Sequence, residues 1–384
     1  MKKDKKKVFL RTFGCQMNVR DSEVVAGLLR KEGYLIVNDA DGADAVIFNT
    51  CSVRQHAEDK VWSEVGRLAK AKPGKKRPLI GIAGCMAQNY KEKVFERAPQ
   101  ADFAVGPSDI HKIPGILKKM LRHNSSKGLL EIKVWETDSV FRPEEIYHTG
   151  LRQDEKHAYV VISEGCSNYC SYCVVPFVRG ELHNRRHQDI IKEIEEAVSA
   201  GIKRVTILGQ NVNAYRDGDI DFIRLTEMVN AVGDLDEFGF ITSHPRDTSV
   251  LLFKAMAGLE KLKKHLHLPV QSGSNRILSL MNRGYSRFFY LDLVNNYRKI
   301  VTKGTLTTDI IVGFPGETDK DFKDTYNLVK EVGFDSAYIF KYSPRPHTKA
   351  LEFEDNVAQQ EKERRHCLVL ELQKDISRKK SRKI

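Results

Sequence analysis

The stretch AYVVISEGCSNYCSYC, residues 158–173, contains three cysteines directly after a short apolar segment. The segment AYVVIS combines valine, isoleucine and tyrosine and predicts a β-strand. Cys166, Cys170 and Cys173 follow in the loop with the spacing C-x3-C-x2-C, and Tyr172 directly precedes the last of them. Three thiols this close in sequence raise the question of which metal centre they would hold.

Zinc is the first alternative for such a cysteine cluster. Structural zinc prefers four ligands, usually in two C-x2-C pairs, and no second pair follows in this chain. His183 and His187 lie near the cluster in sequence, but their spacing forms no recognisable zinc unit with these cysteines. Three thiolates suit a [4Fe–4S] cluster better, because one iron is then left open to bind a small molecule.

The cysteine loop opens a series of alternating strands and helices. After residue 173, apolar strands are predicted at RVTIL (204–208), FGFIT (238–242), HLHLPV (265–270), TTDIIVG (307–313) and AYIFKY (337–342). The first connecting helix is predicted to place five apolar residues on one face and to stop at Gly201; they are Ile190, Ile191, Ile194, Ala197 and Val198. Six strands with helical crossovers predict an α/β fold with a partial (β/α)6 barrel, in which the loops at the carboxyl ends of the strands carry the site.

The N-terminal part of the chain repeats the same alternation, with one cysteine after each of three strands. The strands VFLRTF (8–13), DAVIFNT (44–50) and PLIGIAG (78–84) are followed by Cys15, Cys51 and Cys85, and a weaker strand, DFAVG, comes later. Strands alternating with helices predict a parallel α/β sheet, whose carboxyl ends meet at one edge. We therefore expect these three cysteines to converge. The alternative is three small buried hydrophobic side chains.

Composition places the chain among globular proteins and suggests a polyanionic partner. The chain has 384 residues, 41% hydrophobic residues and a net charge of +12. No apolar run approaches the length of a membrane span, and the N-terminus does not read as a signal peptide, so we expect a cytoplasmic protein. The chain has seven cysteines, and this odd number argues against a framework of disulfides. The basic excess fits RNA, although a solvated, solubilising surface is the alternative.

Nine motifs in order along the chain give it a family resemblance. They are TFGCQMN, NTCSVRQHAEDK, GCMAQ, SEGCSNYCSYCVVPFVRGE, LGQNVNAY, TSHPRD, HLPVQSGSNRILSLMNRGY, TDIIVGFPGET and YSPRPHTKA. The chain resembles the radical S-adenosylmethionine methylthiotransferases from about Val8 to Gln373. Within that family it is most similar to the tRNA-modifying MiaB group, which makes 2-methylthio-N6-isopentenyladenosine.

The resemblance implies two [4Fe–4S] clusters and S-adenosylmethionine as cofactors. Cys166, Cys170 and Cys173 match the ligands of the cluster that binds S-adenosylmethionine. Cys15, Cys51 and Cys85 match the ligands of an auxiliary cluster. One S-adenosylmethionine would methylate a sulfur at the auxiliary cluster. Another would yield a 5′-deoxyadenosyl radical that takes the hydrogen from C2 of adenosine 37 in tRNA, and the carbon radical would capture the methylthio group.

Four further residues are candidates for contacting the cofactor. Tyr172 stands where family members place an aromatic side chain near the adenine, and a packing role is its alternative. Gln210 could hydrogen-bond the methionine end of S-adenosylmethionine. Gln271 and Arg283 lie at the carboxyl rim of the strand array, although each could instead cap a helix or satisfy backbone groups.

Basic residues after the cluster loop are candidates for contacting RNA. Arg179, Arg185 and Arg186 could meet RNA phosphates, and a solvated basic face is the alternative.

The predicted organisation is an N-terminal domain over residues 1–150 that binds the auxiliary cluster. It is followed by a radical S-adenosylmethionine domain over residues 151–384 that ends in a basic helix. A linker is predicted at NSSKGLLEIK, residues 124–133. Family members usually continue into a C-terminal TRAM domain, for which this sequence leaves no room. The predicted partners are the tRNA anticodon loop and an electron donor such as a flavodoxin or ferredoxin, with no membrane.

The sequence also leaves other functions open. Related enzymes methylthiolate N6-threonylcarbamoyladenosine in tRNA or an aspartate of a ribosomal protein. The chain could also be a non-catalytic Fe–S or RNA-binding protein, or a structural protein with two zinc sites. Six cysteines in two trios speak against a degenerate binder, which need not keep all of them.

Overall fold

The computed structural model describes residues 5–52, 55–69, 77–123, 133–138, 141–149 and 151–381. Within it the chain forms two compact units. The first comprises Met1–Glu155 and Val175–His183, and the second comprises Lys156–Val174 and Asn184–Ile384. The predicted linker at residues 124–133 lies outside the described residues except for Lys133. The functional division into residues 1–150 and 151–384 stays a prediction.

The first unit is built on a six-stranded parallel sheet with the order β2-β1-β3-β4-β5-β6. Its strands are β1 (Lys7–Phe13), β2 (Leu35–Val37), β3 (Ala45–Thr50), β4 (Leu79–Ala83), β5 (Phe103–Val105) and β6 (Val134–Glu136). All six residues of β3 are buried, so both faces of the sheet are covered. The parallel α/β sheet predicted from the sequence is confirmed, and the two short outer strands β2 and β6 extend it.

Helices connect these strands. They are α1 (Gln16–Lys31), α2 (Gln55–Ala69), α3 (Cys85–Tyr90), α4 (Val94–Arg97) and α5 (Ile113–His123), with 3-10 turns at Lys91–Lys93, Pro107–Lys112 and Glu144–His148. Val61 and Val65 of α2 pack into one core with Phe48 of β3 and Ile80 and Ile82 of β4. The short helix α6 (Val175–Arg179) belongs to this unit, although it follows the cysteine loop in sequence.

The second unit contains six parallel strands in two sheets of three. In chain order they are β7 (His157–Val161), β10 (Arg204–Leu208), β13 (Glu237–Ile241), β14 (His265–His267), β15 (Thr305–Val312) and β16 (Ser336–Lys341). The sheet orders are β13-β10-β7 and β14-β15-β16, and a parallel bridge between Phe238 and Leu262 joins them. Short pairs of residues form β8 (Ser163–Glu164), β9 (His183–Asn184), β11 (Arg216–Asp217) and β12 (Ile220–Asp221). The arrangement agrees with the predicted α/β fold and an open, partial barrel.

Helices alternate with these strands and cover their outer face. They are α7 (His187–Ser199), α8 (Phe222–Ala231), α9 (Val250–Gly258), α10 (Asn275–Leu280), α11 (Arg287–Ile300), α12 (Asp319–Val332) and α13 (Gln359–Ser381), with 3-10 turns at Val212–Ala214, Pro245–Asp247 and Lys349–Glu352. Of the five residues predicted on the apolar face of α7, Ile190, Ile194 and Ala197 are buried in the core. The other two, Ile191 and Val198, are partly buried and pack against it. No helix in the described ranges is long and apolar enough to cross a membrane.

Strand β14 is shorter than the predicted HLHLPV segment. It ends at His267, and Pro269 then interrupts the ladder because proline has no N–H to donate. The chain pairs again at Gln271, whose backbone N–H donates to Asp309 O (2.9 Å) and whose O accepts from Ile311 N (2.9 Å). The predicted end of this strand was therefore wrong by three residues, but Gln271 still lies beside β15.

Gly81 of β4 gives the first testable prediction, because it leaves room for the neighbouring strand's side chain. Its register partner is Phe103, whose ring occupies the place of a Cβ atom at position 81. We expect Gly81→Ala to lower the free energy of unfolding by about 1–3 kcal/mol through overpacking. The measurement is a urea titration followed by far-UV circular dichroism.

Gly66→Ala is the matched control for this substitution. Gly66 lies in α2 with no atom within 4 Å of its added Cβ. Alanine there should stabilise the helix by about 0.5–1 kcal/mol. A Gly81→Ala midpoint at or above that of the unsubstituted chain would contradict the packing argument.

Candidate functional site

The structure brings Cys15, Cys51 and Cys85 together at the carboxyl edge of the first unit's sheet. They follow the neighbouring strands β1, β3 and β4. Cys51 N donates to Phe13 O (2.9 Å), so the end of β3 is fixed against the end of β1. The Cys51 side chain hydrogen-bonds to Cys15, and Cys15 and Cys85 interact electrostatically. The three cysteines therefore converge, as their positions after three strands predicted.

Two glycines allow the backbone to approach this closely. Gly14 has φ +141°, and an added Cβ would lie 2.5 Å from the Cβ of Cys51. Gly84 has φ +87°, and an added Cβ would overlap the Oδ1 atom of Asn49. Both positions therefore combine a positive φ with a lack of space, which only glycine satisfies.

A buried network of amide side chains joins the start of α1 to the end of β3. Asn49 precedes the Cys51 turn, and its Nδ2 donates to Asn18 O and to Ser22 Oγ, each at 2.9 Å. Asn18 Nδ2 donates back to Asn49 Oδ1 (3.2 Å). Because Asn18 lies in the first turn of α1, directly after Cys15, this network fixes the helix start against the end of β3.

The electrostatics differ between the thiols. The pKa of Cys15 is lowered to about 6, chiefly by the hydrogen bond from the Cys51 side chain. The charge of Arg179 and the backbone amides of Asn18 and Met17 act in the same direction and together outweigh the effect of burial. Burial raises the pKa of Cys85, and the positive charge of Arg179 opposes that shift. Cys15 therefore ionises more readily than Cys85.

The second trio, Cys166, Cys170 and Cys173, lies in the loop after β8 in the second unit. Cys170 is buried, and Cys166 and Cys173 are partly exposed. Burial raises the pKa of Cys166. Ser171 anchors the loop, since its N donates to Met281 O (3.1 Å) and its Oγ donates to Leu280 O (2.8 Å). The loop is thereby held against the end of α10.

Arg283 connects this loop to the strand ends. Its Nη1 donates to Cys170 Sγ (3.3 Å) and to the Tyr172 hydroxyl (3.4 Å), and its Nη2 donates to Pro269 O (2.8 Å). Its side chain is buried. Tyr172 also packs against the small core around Met281 and Phe314. Both candidates therefore lie beside the cysteine loop, and the packing alternative for Tyr172 is part of the structure.

Buried polar atoms without a hydrogen-bond partner collect at the carboxyl ends of the strands in the second unit. In the described part of the chain they include Ser163 Oγ after β7, Gln210 Oε1 and Asn211 Oδ1 after β10, Ser243 Oγ and His244 Nε2 after β13, and Gln271 Oε1 beside β15. Buried polar groups in native proteins are almost always satisfied. A polar ligand bound at this edge would provide the missing partners, which fits S-adenosylmethionine with its ammonium, carboxylate and ribose hydroxyls.

His244 is a further candidate for contacting the cofactor. It was not predicted from the sequence, although it lies in the motif TSHPRD. Its Nδ1 accepts from Arg246 N (3.2 Å), so in the neutral ring the hydrogen is on Nε2. Burial lowers the pKa of His244 to about 2, and the charges of Arg283 and Arg246 act in the same direction. His244 is therefore a neutral donor close to the end of β13. Its position shortly after the predicted strand FGFIT is the feature of the sequence that could have indicated it.

The RNA-contact hypothesis was wrong for two of three arginines. Arg179 and Arg185 are buried. Arg179 pairs with Asp21, and Arg185 Nη1 donates to Val161 O and to Glu193 Oε2, each at 2.6 Å. Arg186 is exposed and pairs with Asp189. The prediction assumed that all three arginines are exposed, but Arg179 and Arg185 pair with buried carboxylates.

The donor chemistry fits iron–sulfur clusters. Each trio consists of thiols alone, and cysteine thiolate is the usual ligand of these clusters. None of the seven cysteines, all within the described ranges, forms a disulfide. No three His, Cys, Asp or Glu side chains among the described residues are arranged to hold a single metal ion. Cys367 lies exposed on α13, away from both trios in sequence.

Comparison with known proteins identifies the family. Residues 7–106 match the family described as "Uncharacterized protein family UPF0004", and residues 160–329 match the radical SAM superfamily. A tRNA-2-methylthio-N(6)-dimethylallyladenosine synthase of Clostridium perfringens is 45% identical over 362 residues, covering 92% of this chain and 79% of the relative. The chain belongs to this synthase family.

Two further relatives with the same name are similar to this chain to nearly the same degree. The synthase of Neisseria meningitidis is 43% identical over 368 residues, which cover 94% of this chain and 81% of the relative. The synthase of Caldicellulosiruptor saccharolyticus is 42% identical over 97% of this chain and 79% of its own length. Among solved structures, the radical S-adenosylmethionine methyltransferase TsrM from Kitasatospora setae has a TM-score of 0.62 at 13% identity, covering 90% of this chain and 77% of that chain. That likeness concerns the fold.

Gly84 provides a test of how the first trio is held. We expect Gly84→Ala to displace Asn49 and the Cys85 turn, because the new Cβ has no space. Reconstituted wild-type protein should contain about eight iron atoms per chain, as two cubane clusters require, and the variant about four. Iron and sulfide analysis measures this.

Gly33→Ala is the control for backbone strain alone. Gly33 has φ +86° with no atom within 4 Å of an added Cβ, so the backbone conformation is matched and the crowding is absent. It should bind as much iron as the wild type. Equal iron content in both variants would contradict the close-approach argument.

Gln271 provides a test of cofactor contact in the second unit. It has φ +67°, which glycine adopts without strain, so Gln271→Gly removes the side chain without straining the backbone. Loss of a hydrogen bond of about 0.5–1.5 kcal/mol should weaken S-adenosylmethionine binding about 2- to 10-fold in equilibrium dialysis of reconstituted enzyme. Asp234→Gly, at another position with positive φ (+54°), should leave binding unchanged. Unaltered affinity in Gln271→Gly would remove Gln271 from the cofactor site.

Proposed function

We propose that this enzyme methylthiolates C2 of N6-isopentenyladenosine, also called N6-dimethylallyladenosine, at position 37 of tRNA. The observation that carries the proposal is the pair of cysteine trios, each at the carboxyl edge of its own parallel strands, in a chain 45% identical to a named synthase over most of its length. Residues 1–150 would form the methylthiotransferase domain, and residues 151–384 the radical S-adenosylmethionine domain.

The two trios would hold the two [4Fe–4S] clusters. We assign Cys166, Cys170 and Cys173 to the cluster that binds S-adenosylmethionine. We assign Cys15, Cys51 and Cys85 to the auxiliary cluster. When bound, these clusters and S-adenosylmethionine supply the electron, the radical, the methyl group and the sulfur that an unactivated aromatic C–H bond requires.

The protein's own side chains would bind and orient the cofactor. Arg283 is a buried cation that donates to Cys170 Sγ, so it stabilises thiolate charge in that loop. Gln210 and Gln271 have buried amide oxygens without partners, which would accept from the ammonium or hydroxyl groups of S-adenosylmethionine. His244, as a neutral donor, would serve an oxygen acceptor of the same ligand. The buried surroundings exclude water and protect reactive species.

The substrate is a single-stranded loop for a physical reason. A base buried in a duplex cannot reach a pocket, whereas a base in an anticodon loop can be splayed out at low cost. The net charge of +12 favours a polyanion. A flavodoxin or ferredoxin would supply electrons. We place the reaction in the cytoplasm, where tRNA is modified.

Nucleoside mass spectrometry tests reaction and substrate together. The reconstituted enzyme is incubated anaerobically with S-adenosylmethionine, a reductant and tRNA that carries isopentenyladenosine. We expect a methylthio adduct on that nucleoside. An adduct on threonylcarbamoyladenosine instead would contradict the proposed substrate, and no adduct on any tRNA would contradict the proposed reaction.

Cysteine substitutions separate the two trios. Alanine at Cys15 or at Cys170 should abolish the adduct, but only Cys170→Ala should also abolish 5′-deoxyadenosine formation, because that step requires the cluster in the second unit. Cys367→Ala is the control, since Cys367 is exposed on α13, and it should retain both products. If Cys15→Ala also abolished 5′-deoxyadenosine, the division of roles would be wrong.

A further inference from the structure

A buried carboxylate beside the first trio binds two buried arginines, and one of these arginines also donates to a cysteine of the trio. Asp21 is completely buried in α1, and it accepts from Arg142 Nη1 (2.7 Å) and from Arg179 Nη2 (2.6 Å). Burial alone would raise the pKa of Asp21, but the two guanidinium groups outweigh it and hold the pKa below its usual range. One buried carboxylate therefore accepts from two guanidinium groups.

One of these two guanidinium groups also reaches the thiol of Cys85. Arg179 Nε donates to Cys85 Sγ (3.3 Å) while the Nη2 atom of the same side chain donates to Asp21 Oδ2. The guanidinium is planar and its donors are fixed relative to one another, so Asp21 sets the direction in which Nε points. Arg179 is thus oriented by one buried acid and aimed at one cysteine sulfur.

The two arginines form a natural comparison. Arg142 and Arg179 are both buried and share the carboxylate of Asp21 at nearly equal distances. The bond to Cys85 Sγ belongs to Arg179. A role in holding the fold would make the two alike, whereas a role toward the thiolate would distinguish Arg179.

We propose that Arg179, oriented by Asp21, is a positioning residue that donates a hydrogen bond to the Cys85 thiolate and raises the reduction potential of the auxiliary cluster. The inference rests on the proposed function, because it requires that Cys85 ligates that cluster. Hydrogen bonds to the sulfurs and local charge are among the determinants of cluster potential. A cation and a donor at a ligand sulfur stabilise the more negative, reduced state, so their removal lowers the potential.

The test measures the auxiliary cluster alone. A parent variant with Cys166→Ala, Cys170→Ala and Cys173→Ala is reconstituted anaerobically, and the midpoint potential is determined by titration monitored by electron paramagnetic resonance. In this parent, Arg179→Met should lower the potential by at least 59 mV, which is a tenfold change in the equilibrium constant of a one-electron couple. Arg142→Met should leave it within the error of the parent.

Lysine variants keep the test decisive if methionine prevents cluster assembly. Lysine retains the charge but is a point donor that cannot bridge Asp21 and Cys85 as the guanidinium fork does. We expect Arg179→Lys to lower the potential relative to Arg142→Lys. Equal potentials in these two variants, or an Arg179→Met potential equal to that of the parent, would overturn the inference.

The failure of the proposed function is recognisable in the same experiment. If the parent binds no iron, the first trio does not hold a cluster, and the proposed function fails before Arg179 is tested. If the parent binds about four iron atoms and the potentials do not change, the assignment of the trio stands and the role of Arg179 is wrong.

Discussion

Parallel pairing of strand ends is the constraint on which the rest of this structure depends. Cys15, Cys51 and Cys85 are far apart in sequence, and they meet because β1, β3 and β4 are adjacent and point the same way. The backbone bond from Cys51 N to Phe13 O fixes two of these ends directly. The hydrogen bond between Cys15 and Cys51, which is the largest cause of the lowered pKa of Cys15, follows from that alignment. Close approach in turn requires Gly14 and Gly84, where a side chain would not fit.

The two trios are built by different means. In the first unit, three separate strands contribute one cysteine each, so the placement of these cysteines depends on the whole sheet. In the second unit, one loop contributes all three, and that loop is held by Ser171 bonded to the end of α10 and by Arg283. The first arrangement is therefore sensitive to sheet packing, and the second to a few local contacts. In both trios an arginine donates to a cysteine sulfur, Arg179 to Cys85 and Arg283 to Cys170.

The sequence predicted the parts of the fold that rest on periodicity and strand order. The main strands and the face of α7 with Ile190 and Ile194 were recoverable because apolar spacing records burial. The end of β14 was not, since HLHLPV is apolar throughout and Pro269 breaks the ladder inside it. Arg179 and Arg185 could not be placed either, because a charged side chain buried against Asp21 or Glu193 looks the same in sequence as a surface residue. The acidic partner of Arg179 lies far away in the chain and only the folded structure reveals the pair.

Several buried polar atoms collect at the strand ends of the second unit, where the proposal places the cofactor. Ser163, Asn211, Ser243 and His244 were not singled out from the sequence, and each carries a buried polar atom without a partner at a strand end in the described part of the chain. A buried polar group left unpaired costs about 1–3 kcal/mol. A polar ligand that hydrogen-bonds to several of these atoms at once would therefore gain affinity from each of them, and the proposed cofactor, S-adenosylmethionine, has the ammonium, carboxylate and hydroxyl groups to do so.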